Sequence, residues 1–461
     1  MTNLETRPVP SGKQGIMQNI AGFFTELMRK YLPDPFVFAV GLTILTFILA
    51  VVVQHQNPIE SISHWGDGFW SLLAFTTQMA VILTCGYVLA NAPVTDRLLD
   101  RIVSHVSTPR TAVIVATLVG GIGSYLNWGF GLVIGGVVAK KLATEVKGVH
   151  YPLIIASAYS GFTLYGLGLS ATIPLTIATP GHPLQKNMGL IGLDQTIFSP
   201  YMLITAAVVL VTLPLLNAAL HPKPGQTVKE IDRSLFSSDE SMVPVNEDLA
   251  ENTVASRINN SRVLSMVIGT VGIAYVLIHM VQGGSVDLNL INFIILFLGI
   301  ILLGTPIMYV TKLNEGIKTI SGIILQFPFY AGIMAIMGGS GLVLAISQWF
   351  VNISTEQTLP FWGLLSSFVI NFFAPSGGGH WVIQGPFMID AANTLGSSLA
   401  QTSMSVMLGN AWNDLIQPFW ILPALALSKL KLKDIMGYTV IMMFWVGLIY
   451  VVSVLAWGFL G

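Results

Sequence analysis

The sequence predicts an all-α polytopic membrane protein. Its expected architecture is an inverted-topology repeat of two five-element halves, each with a re-entrant hairpin, plus one extra helix. Three observations predict this. Of the 461 residues, 53% are hydrophobic and 9% are charged, whereas about 25% are charged in a soluble domain. Apolar stretches of membrane length recur, and the Lys and Arg residues gather in the connections between them. Two of the stretches are interrupted near their middles by Gly-rich polar turns.

A bilayer core of about 30 Å takes about 20 helical residues. Stretches that qualify are 35–53, 69–90, 111–139, 152–179, 200–220, 263–281, 290–310, 321–350, 359–392, 401–427 and 435–460. The one long polar connection runs over 221–262 and holds His221-Pro222-Lys223-Pro224-Gly225 and Asn259-Asn260. It reads as a linker between halves.

Basic residues mark cytoplasmic connections. They cluster before the first span (Arg7, Lys13, Arg29, Lys30) and after the second (Arg97, Arg101, Arg110). Further clusters are Lys140-Lys141 with Lys147, five residues in the linker, Lys312 with Lys318, and Lys429, Lys431 and Lys433; Lys186 alone stands apart. Segment 111–139 therefore has both ends on the cytoplasmic side, and it is too short to cross twice. It is expected to be a hairpin turning within Gly120-Gly121-Ile122-Gly123-Ser124-Tyr125-Leu126-Asn127-Trp128-Gly129-Phe130-Gly131. By the same reasoning 359–392 enters and leaves on the outside, turning at Asn371-Phe372-Phe373-Ala374-Pro375-Ser376-Gly377-Gly378-Gly379-His380-Trp381.

The expected organisation is a cytoplasmic segment 1–34 and a first repeat 35–220 with its hairpin at about 111–141. A cytoplasmic linker 221–262 and an extra helix 263–282 follow, then a second repeat 289–461 with its hairpin at about 359–395. The amino terminus is expected in the cytoplasm and the carboxyl terminus outside. No signal peptide is expected, because the first 13 residues are polar and contain Pro8 and Pro10. A net charge of −1 argues against nucleic acid as a partner, and the single cysteine, Cys85, excludes an intrachain disulfide framework or a Cys-based metal cluster.

Each hairpin is followed by a span carrying polar residues and a proline. One has Ser170-Ala171-Thr172-Ile173-Pro174, the other Asn410-Ala411-Trp412-Asn413-Asp414 ahead of Pro418. Proline removes a backbone donor and frees a carbonyl, so both helices are expected to unwind at mid-membrane. Helix N-termini near Asn127 and Gly379 would offer N–H groups to a carboxylate. The candidate substrate-binding residues are thus Ser124, Asn127, Trp128, Gly129, Ser170, Thr172, Ser376, Gly377, Gly378, Gly379, His380 and Trp381. Tyr125, Phe130 and Trp412 are further aromatics positioned to cover a small apolar tail, or simply to pack. No Lys or Arg falls near the middle of a span, which suits one carboxylate better than two or three.

Asp414 is the one carboxylate placed near mid-membrane, and an acid there is functional by default. It either binds a coupling cation with Asn410 and Asn413 or carries a proton. His380 is either a titrating group or a hydrogen-bonding turn residue. No Walker motif, GxSxG elbow or HExxH occurs, so neither an enzyme nor an ATP-driven pump is expected. No cofactor is expected beyond Na⁺, one of the two candidate coupling ions.

The sequence resembles the short-chain fatty acid transporter family, whose substrates include acetoacetate and butyrate. The resemblance rests on Tyr31-Leu32-Pro33-Asp34-Pro35-Phe36, on Ser124 to Gly131, and on Pro375-Ser376-Gly377-Gly378-Gly379-His380-Trp381-Val382-Ile383-Gln384-Gly385-Pro386. His380 is a departure, since many relatives are expected to carry a residue such as Gln there. More distantly the chain resembles the ion transporter superfamily, with its sodium-coupled dicarboxylate and aminobenzoyl-glutamate transporters. That resemblance implies a scaffold domain, a moving transport domain, an elevator mechanism and a homodimer. The expected function is cation-coupled (H⁺ or Na⁺) symport of short-chain monocarboxylates across a bacterial inner membrane. The alternatives are a dicarboxylate or aminobenzoyl-glutamate substrate, or a channel or receptor. A channel would need a continuous polar stripe, and a receptor a larger soluble module than 221–262.

Overall fold

A computed structural model describes residues 35–223, 228–232 and 253–461. Segment 1–34, which carries most of the first resemblance motif, and most of the linker lie outside the described residues. Every regular element described is helical. In chain order these are α1 (Pro35–Val52), α2 (Pro58–Gly68), α3 (Leu73–Ala90), α4 (Pro93–Ser104), α5 (Pro109–Leu126), α6 (Trp128–Glu145) and α7 (Tyr151–Ser160). A 3₁₀ segment (Gly161–Leu167) leads to α8 (Thr172–Ala178), the short α9 (Gln185–Met188), another 3₁₀ turn (Leu193–Gln195) and α10 (Pro200–Ala219). The second part holds α11 (Val254–Asn259), α12 (Arg262–Val281), α13 (Leu288–Leu303), α14 (Pro306–Ile317), α15 (Ser321–Ser340) and α16 (Leu342–Ile353). It closes with α17 (Leu359–Ile370), α18 (Gly377–Leu395), α19 (Leu399–Asn413), α20 (Pro418–Ser428) and α21 (Leu432–Leu460).

Seven described segments are long and apolar enough to cross a membrane: α3, α5, the stretch Tyr151–Ala178, α10, α12, α15 and α21. Two expected single spans are each two helices. Stretch 290–310 breaks at Gly304 (φ +83), where Thr305 caps α14 through a bond from Met308 N and Pro306 opens it. Stretch 321–350 breaks at Gly341 (φ +81). A left-handed residue ends a helix cheaply only when it lacks a Cβ. Two helices, α2 and α4, occupy segments expected as connections. Each opens with a proline in its first turn, where the missing N–H has no intrahelical acceptor.

The helices α5 and α6 lie antiparallel, with Gly131 against Ser124 and Gly135 against Gly120. Helices α17 and α18 pair the same way: Ser367 meets His380, and Gly363 O accepts from Gln384 Nε2 at 3.2 Å. The first hairpin packs on α7, the 3₁₀ segment and α10, and the second on α16 and α19. Small residues allow this: Gly161 sits directly against the backbone of Gly120 and Gly121. The molecule's centre is the stretch Tyr151–Ala178, where 94% of the apolar window is buried. For α12 the figure is 17%, and its buried residues are Ser265, Gly269 and Gly272. The last two lie against Phe297 and Ile301 of α13, so the remainder of α12 faces outward.

The described linker residues 228–232 dock on the α6–α7 connection. Lys229 N donates to His150 Nδ1 at 3.0 Å, Tyr151 N to Lys229 O at 2.8 Å, and Gly148 N to Glu230 Oε1 at 2.8 Å. Lys229 also pairs with Asp434 of α21 at 3.2 Å. Burial, with His221 and Lys229 nearby, pushes the His150 imidazole down to about 4. It is therefore neutral and able to accept.

Candidate functional site

Both hairpin tips are held by the broken helix that follows them. At the first tip α5 ends at Leu126 and α6 begins at Trp128. Between them Asn127 is extended, and its Oδ1 caps α6 by accepting from Phe130 N at 2.8 Å. Tyr125 O accepts from Leu169 N at 2.7 Å, and Trp128 N donates to Ser170 Oγ at 2.8 Å. Residues 168–171, between the 3₁₀ segment and α8, are therefore bonded to the tip on both sides of Asn127. Pro174 was expected at the break but lies inside α8; the α-helix gives way ahead of it, to the 3₁₀ segment and then to non-helical residues 168–171.

At the second tip α17 ends at Ile370 and α18 begins at Gly377, two residues ahead of Gly379, with Ser376 as its cap. Asn371 occupies the turn, fully buried. Its Nδ2 donates to Asp414 Oδ1 at 2.6 Å, to Asn413 Oδ1 at 3.1 Å and to Asn410 O at 3.3 Å. Its own carbonyl accepts from Gln417 Nε2 at 2.9 Å. Helix α19 ends at Asn413 and α20 starts at Pro418. Pro418 has no N–H for the carbonyl four residues back, which is that of Asp414. Tyr159 OH donates to that carbonyl instead.

The two tips share a neighbourhood. Gly377 lies against Thr172 Oγ1 and Asn410 Oδ1. Tyr165, from the 3₁₀ segment, places its hydroxyl 2.5 Å from Asn410 Oδ1 and 2.8 Å from Asp414 Oδ2. Thr163 of the same segment donates to Ala411 O at 3.2 Å. Asn410 Nδ2 meets Asn371 Oδ1 and, at 3.3 Å, His380 Nδ1. Among the described residues, the buried polar side chains include no Lys, Arg or Glu, and Asp414 is their one acid. No three His, Cys, Asp or Glu side chains gather there as metal ligands would.

The expected site residues thus divide. Asn410, Asn413, Asp414 and His380 form one connected network, with Thr172 and Gly377 beside it. Asn127, Trp128, Ser170 and Ser124 lie at the first tip. The Ser124 hydroxyl is engaged with Gly120 O at 2.7 Å, and Ser376 Oγ takes Gly379 N at 3.5 Å. Asn127 Nδ2 is buried without a partner, as are Trp128 Nε1, Trp381 Nε1 and Asn413 Nδ2. Gly129 packs on Leu83 of α3, Gly378 on Phe75 and Gly379 on Tyr330. Trp381 is buried beside Gly385. Trp412 is structural, donating to Met443 O at 2.8 Å and packing on Phe368 at 4.3 Å. Asn371, Tyr159, Tyr165 and Gln384 were not among the expected site residues, although Asn371 stands in the motif that marks the turn.

The structure contains at least two cavities. One of about 300 Å³ is lined by Phe75, Gln78, Thr176, Thr179 and His182 among others, and Phe75 reaches from it to Gly378 at the second tip. The other, about 710 Å³, lies between α4, α6 and Lys429, with Lys140 and Lys141 in its wall.

Comparison with known proteins decides the family. A sequence profile described as "Short chain fatty acid transporter" matches residues 16–457. The chain belongs to the short-chain fatty acid transporter family. A relative from Escherichia coli K12 is 40% identical over 94% of this chain and 98% of its own length. One from Haemophilus influenzae Rd is 38% identical over 95% and 99%. Both bear the name "Putative short-chain fatty acid transporter". The fold is similar to that of the Alcanivorax borkumensis YdaH transporter, whose crystal structure is described as revealing an unusual topology. The TM-score is 0.58 and the identity 14%, over 92% of this chain and 98% of that one. With this family and its membrane-length apolar helices, the chain is a multi-pass membrane transport protein.

Proposed function

We propose that this protein is a secondary active symporter of short-chain monocarboxylates such as butyrate or acetoacetate, and not an enzyme. The observation that carries the proposal is the meeting of two hairpin tips and two broken helices around buried amides, hydroxyls and one acid, with no fixed cation. Such a site suits one carboxylate held by amide and backbone donors, with its charge balanced by a co-transported cation. Asn127 Nδ2 supplies an unengaged donor at the first tip, and Thr172 Oγ1 stands near the second. Asp414 is the coupling residue, and the coupling ion is a proton. No cofactor is required; Na⁺ at Asp414, Asn410 and Asn413 is the competing choice.

Each tip is bonded by the break that follows it, which supports two equivalent halves of inverted topology with re-entrant hairpins. Extra helix α12, covered on one side only, stands outside that pairing. Elevator-type motion of the hairpins against a dimeric scaffold would expose the site to each side in turn. The setting proposed is a bacterial inner membrane, and the distribution of Lys and Arg supports a cytoplasmic amino terminus and an external carboxyl terminus.

The test is uptake of labelled butyrate and succinate into proteoliposomes, with pH and Na⁺ gradients imposed separately. Counts from protein-free vesicles are subtracted, because neutral butyric acid crosses lipid unaided. Butyrate accumulation that follows the pH gradient is expected. Accumulation of succinate without butyrate would replace the substrate class, and dependence on Na⁺ at fixed pH would replace the ion.

A further inference from the structure

Hydrogen-bond direction around Asp414 can be read from backbone carbonyls, which only accept. Gln384 Nε2 faces Gly363 O at 3.2 Å and Ser366 Oγ at 2.9 Å, so its amide nitrogen is on that side and Oε1 is turned to His380 Nε2. That ring nitrogen must carry the hydrogen. Ser367, also near it at 3.2 Å, spends its own proton on Val406 O at 2.6 Å. In the neutral imidazole Nδ1 is then an acceptor, and Asn410 presents Nδ2 to it.

A second carbonyl gives the same answer from the other end. Asn410 O, 3.3 Å from the Asn371 amide, fixes that group with Nδ2 toward residues 410–414. Asn371 Oδ1 then faces Asn410 and needs a donor, which again is Nδ2. Two independent anchors thus orient Asn410, leaving its Oδ1 2.5 Å from the Tyr165 oxygen. Oxygens this close require a hydrogen between them, and an amide oxygen has none. The Tyr165 proton is therefore committed to Asn410. The Tyr165 oxygen is also 2.8 Å from Asp414 Oδ2, and the hydrogen in that contact has one remaining source.

We propose that Asp414 is protonated on Oδ2 in this conformation, as the first donor of a one-way chain running Asp414, Tyr165, Asn410, His380, Gln384, Gly363. It deepens the coupling role proposed above for Asp414. Tyr165, Asn410, Asn371 and His380 are positioning residues, and His380 is neutral. Titratable groups facing the carboxyl region are Tyr159 and Tyr165 from the α7 side, Tyr450 from α21, whose hydroxyl bonds Thr163, and His380 from α18. No buried Lys or Arg accompanies them among the described residues.

The chain also joins proton loss to movement. When the Asp414 O–H bond breaks and the proton passes to water, its electron pair stays on the carboxylate. Tyr165 then turns its own hydrogen to Oδ2. Asn410 Oδ1 is left against a bare oxygen and is relieved only if its amide reverses. Reversal would set Asn410 Oδ1 against Asn371 Oδ1, which the backbone holds in place. The conflict is resolved by parting the α17–α18 tip from residues 410–414, so deprotonation unlatches the second hairpin.

The experiment uses full-length protein in nanodiscs at neutral pH without substrate. The infrared difference between wild type and Asp414→Asn should contain a protonated-carboxyl C=O band; loss of carboxylate bands instead would overturn the assignment. If Asp414→Asn does not fold, Asp414→Glu reads the same band as a shift. Tyr165→Phe should move the band to higher frequency, because the acid loses its acceptor, and an unmoved band would remove Tyr165 from the chain. Nitrogen-15 histidine spectra, with His380 assigned by its loss in His380→Gln, should show the Nε2–H tautomer; the Nδ1–H form would overturn the reading. As the band is titrated away with rising pH, Ser376→Cys should become reactive to a soluble thiol reagent, and constant reactivity would sink the unlatching step. None of these readouts involves transport. A protein that shows the band but accumulates no butyrate overturns the functional proposal and leaves the proton assignment standing.

Discussion

Replacing Asn371 with alanine deletes the amide that joins the second hairpin tip to the broken helix. Its Nδ2 reaches three acceptors and its Oδ1 one donor. Not all are stranded by the change. Asn410 O keeps Asp414 N at 3.1 Å, and Asn410 Nδ2 keeps His380 Nδ1. The groups left alone are Asp414 Oδ1 and Asn413 Oδ1. An unsatisfied buried acceptor costs about 1–3 kcal/mol. The low end applies to both, since alanine leaves polar-lined space for a water. The sum is about 2–3 kcal/mol, or about 30- to 150-fold in the equilibrium that keeps the tip closed. Butyrate uptake by Asn371→Ala in proteoliposomes should therefore fall by at least an order of magnitude, with Tm in detergent lower by several degrees. Uptake within twofold of wild type at unchanged Tm would refute the claim that this amide holds the tip.

Three other outcomes are expected. Asn127→Asp keeps the oxygen that caps α6 and exchanges the unpartnered donor for an acceptor. Tm should be preserved while butyrate affinity falls about tenfold or more, and unchanged affinity would place the substrate elsewhere. In Gly161→Ala the new methyl meets Gly120 C and Gly121 Cα at 2.8 Å; the overpacking should cost about 1–3 kcal/mol, read as a lower Tm, and an unaltered Tm would mean that the segments separate freely. The docked linker depends on neutral His150, whose ordinary value is 6.5 and whose docked value is about 4. A base with a depressed value stabilises the docked form fully above about 6.5 and loses that contribution as pH falls toward 4. A spin label on Ile231→Cys should become more mobile across that window, and His150→Ala should abolish the pH dependence. A label equally mobile throughout would show that His150 does not hold the linker.

The breaks were legible because they use residues with strong local meaning. Asn127 and Ser376 are helix caps, Pro418 opens a helix, and Asn410, Asn413 and Asp414 are polar within an apolar run. Gly304-Thr305-Pro306 carries equally local stop and start signals, yet the high apolar content on both sides reads as one continuous span. Helices α2 and α4 were hidden for the opposite reason: their charged faces look like connections. Tyr159 and Tyr165 could not be selected from sequence. A tyrosine in a 28-residue apolar stretch is indistinguishable from a packing aromatic until the 3₁₀ segment swings its hydroxyl toward Asp414. Asn371 had a readable cue, a lone amide at the end of an apolar helix, but its role depends on residues about 40 positions away.

The shortness of α17 bears on how the protein enters its membrane. Its 12 residues span about 18 Å at 1.5 Å per residue, well short of a bilayer core of about 30 Å. The returning helix opens with Gly377-Gly378-Gly379-His380, all buried by protein, and would leave polar backbone in lipid if it inserted alone. The second hairpin is therefore a poor client for one-by-one insertion during synthesis. With the proposed re-entrant placement, it is expected to wait near the membrane surface until α19, which carries the amides and the acid bonded to its tip, has emerged from the ribosome. Insertion of α17 to α20 would then be a joint event, and damage to Asn371 or Asp414 is expected to appear as loss of protein from the membrane as well as loss of transport.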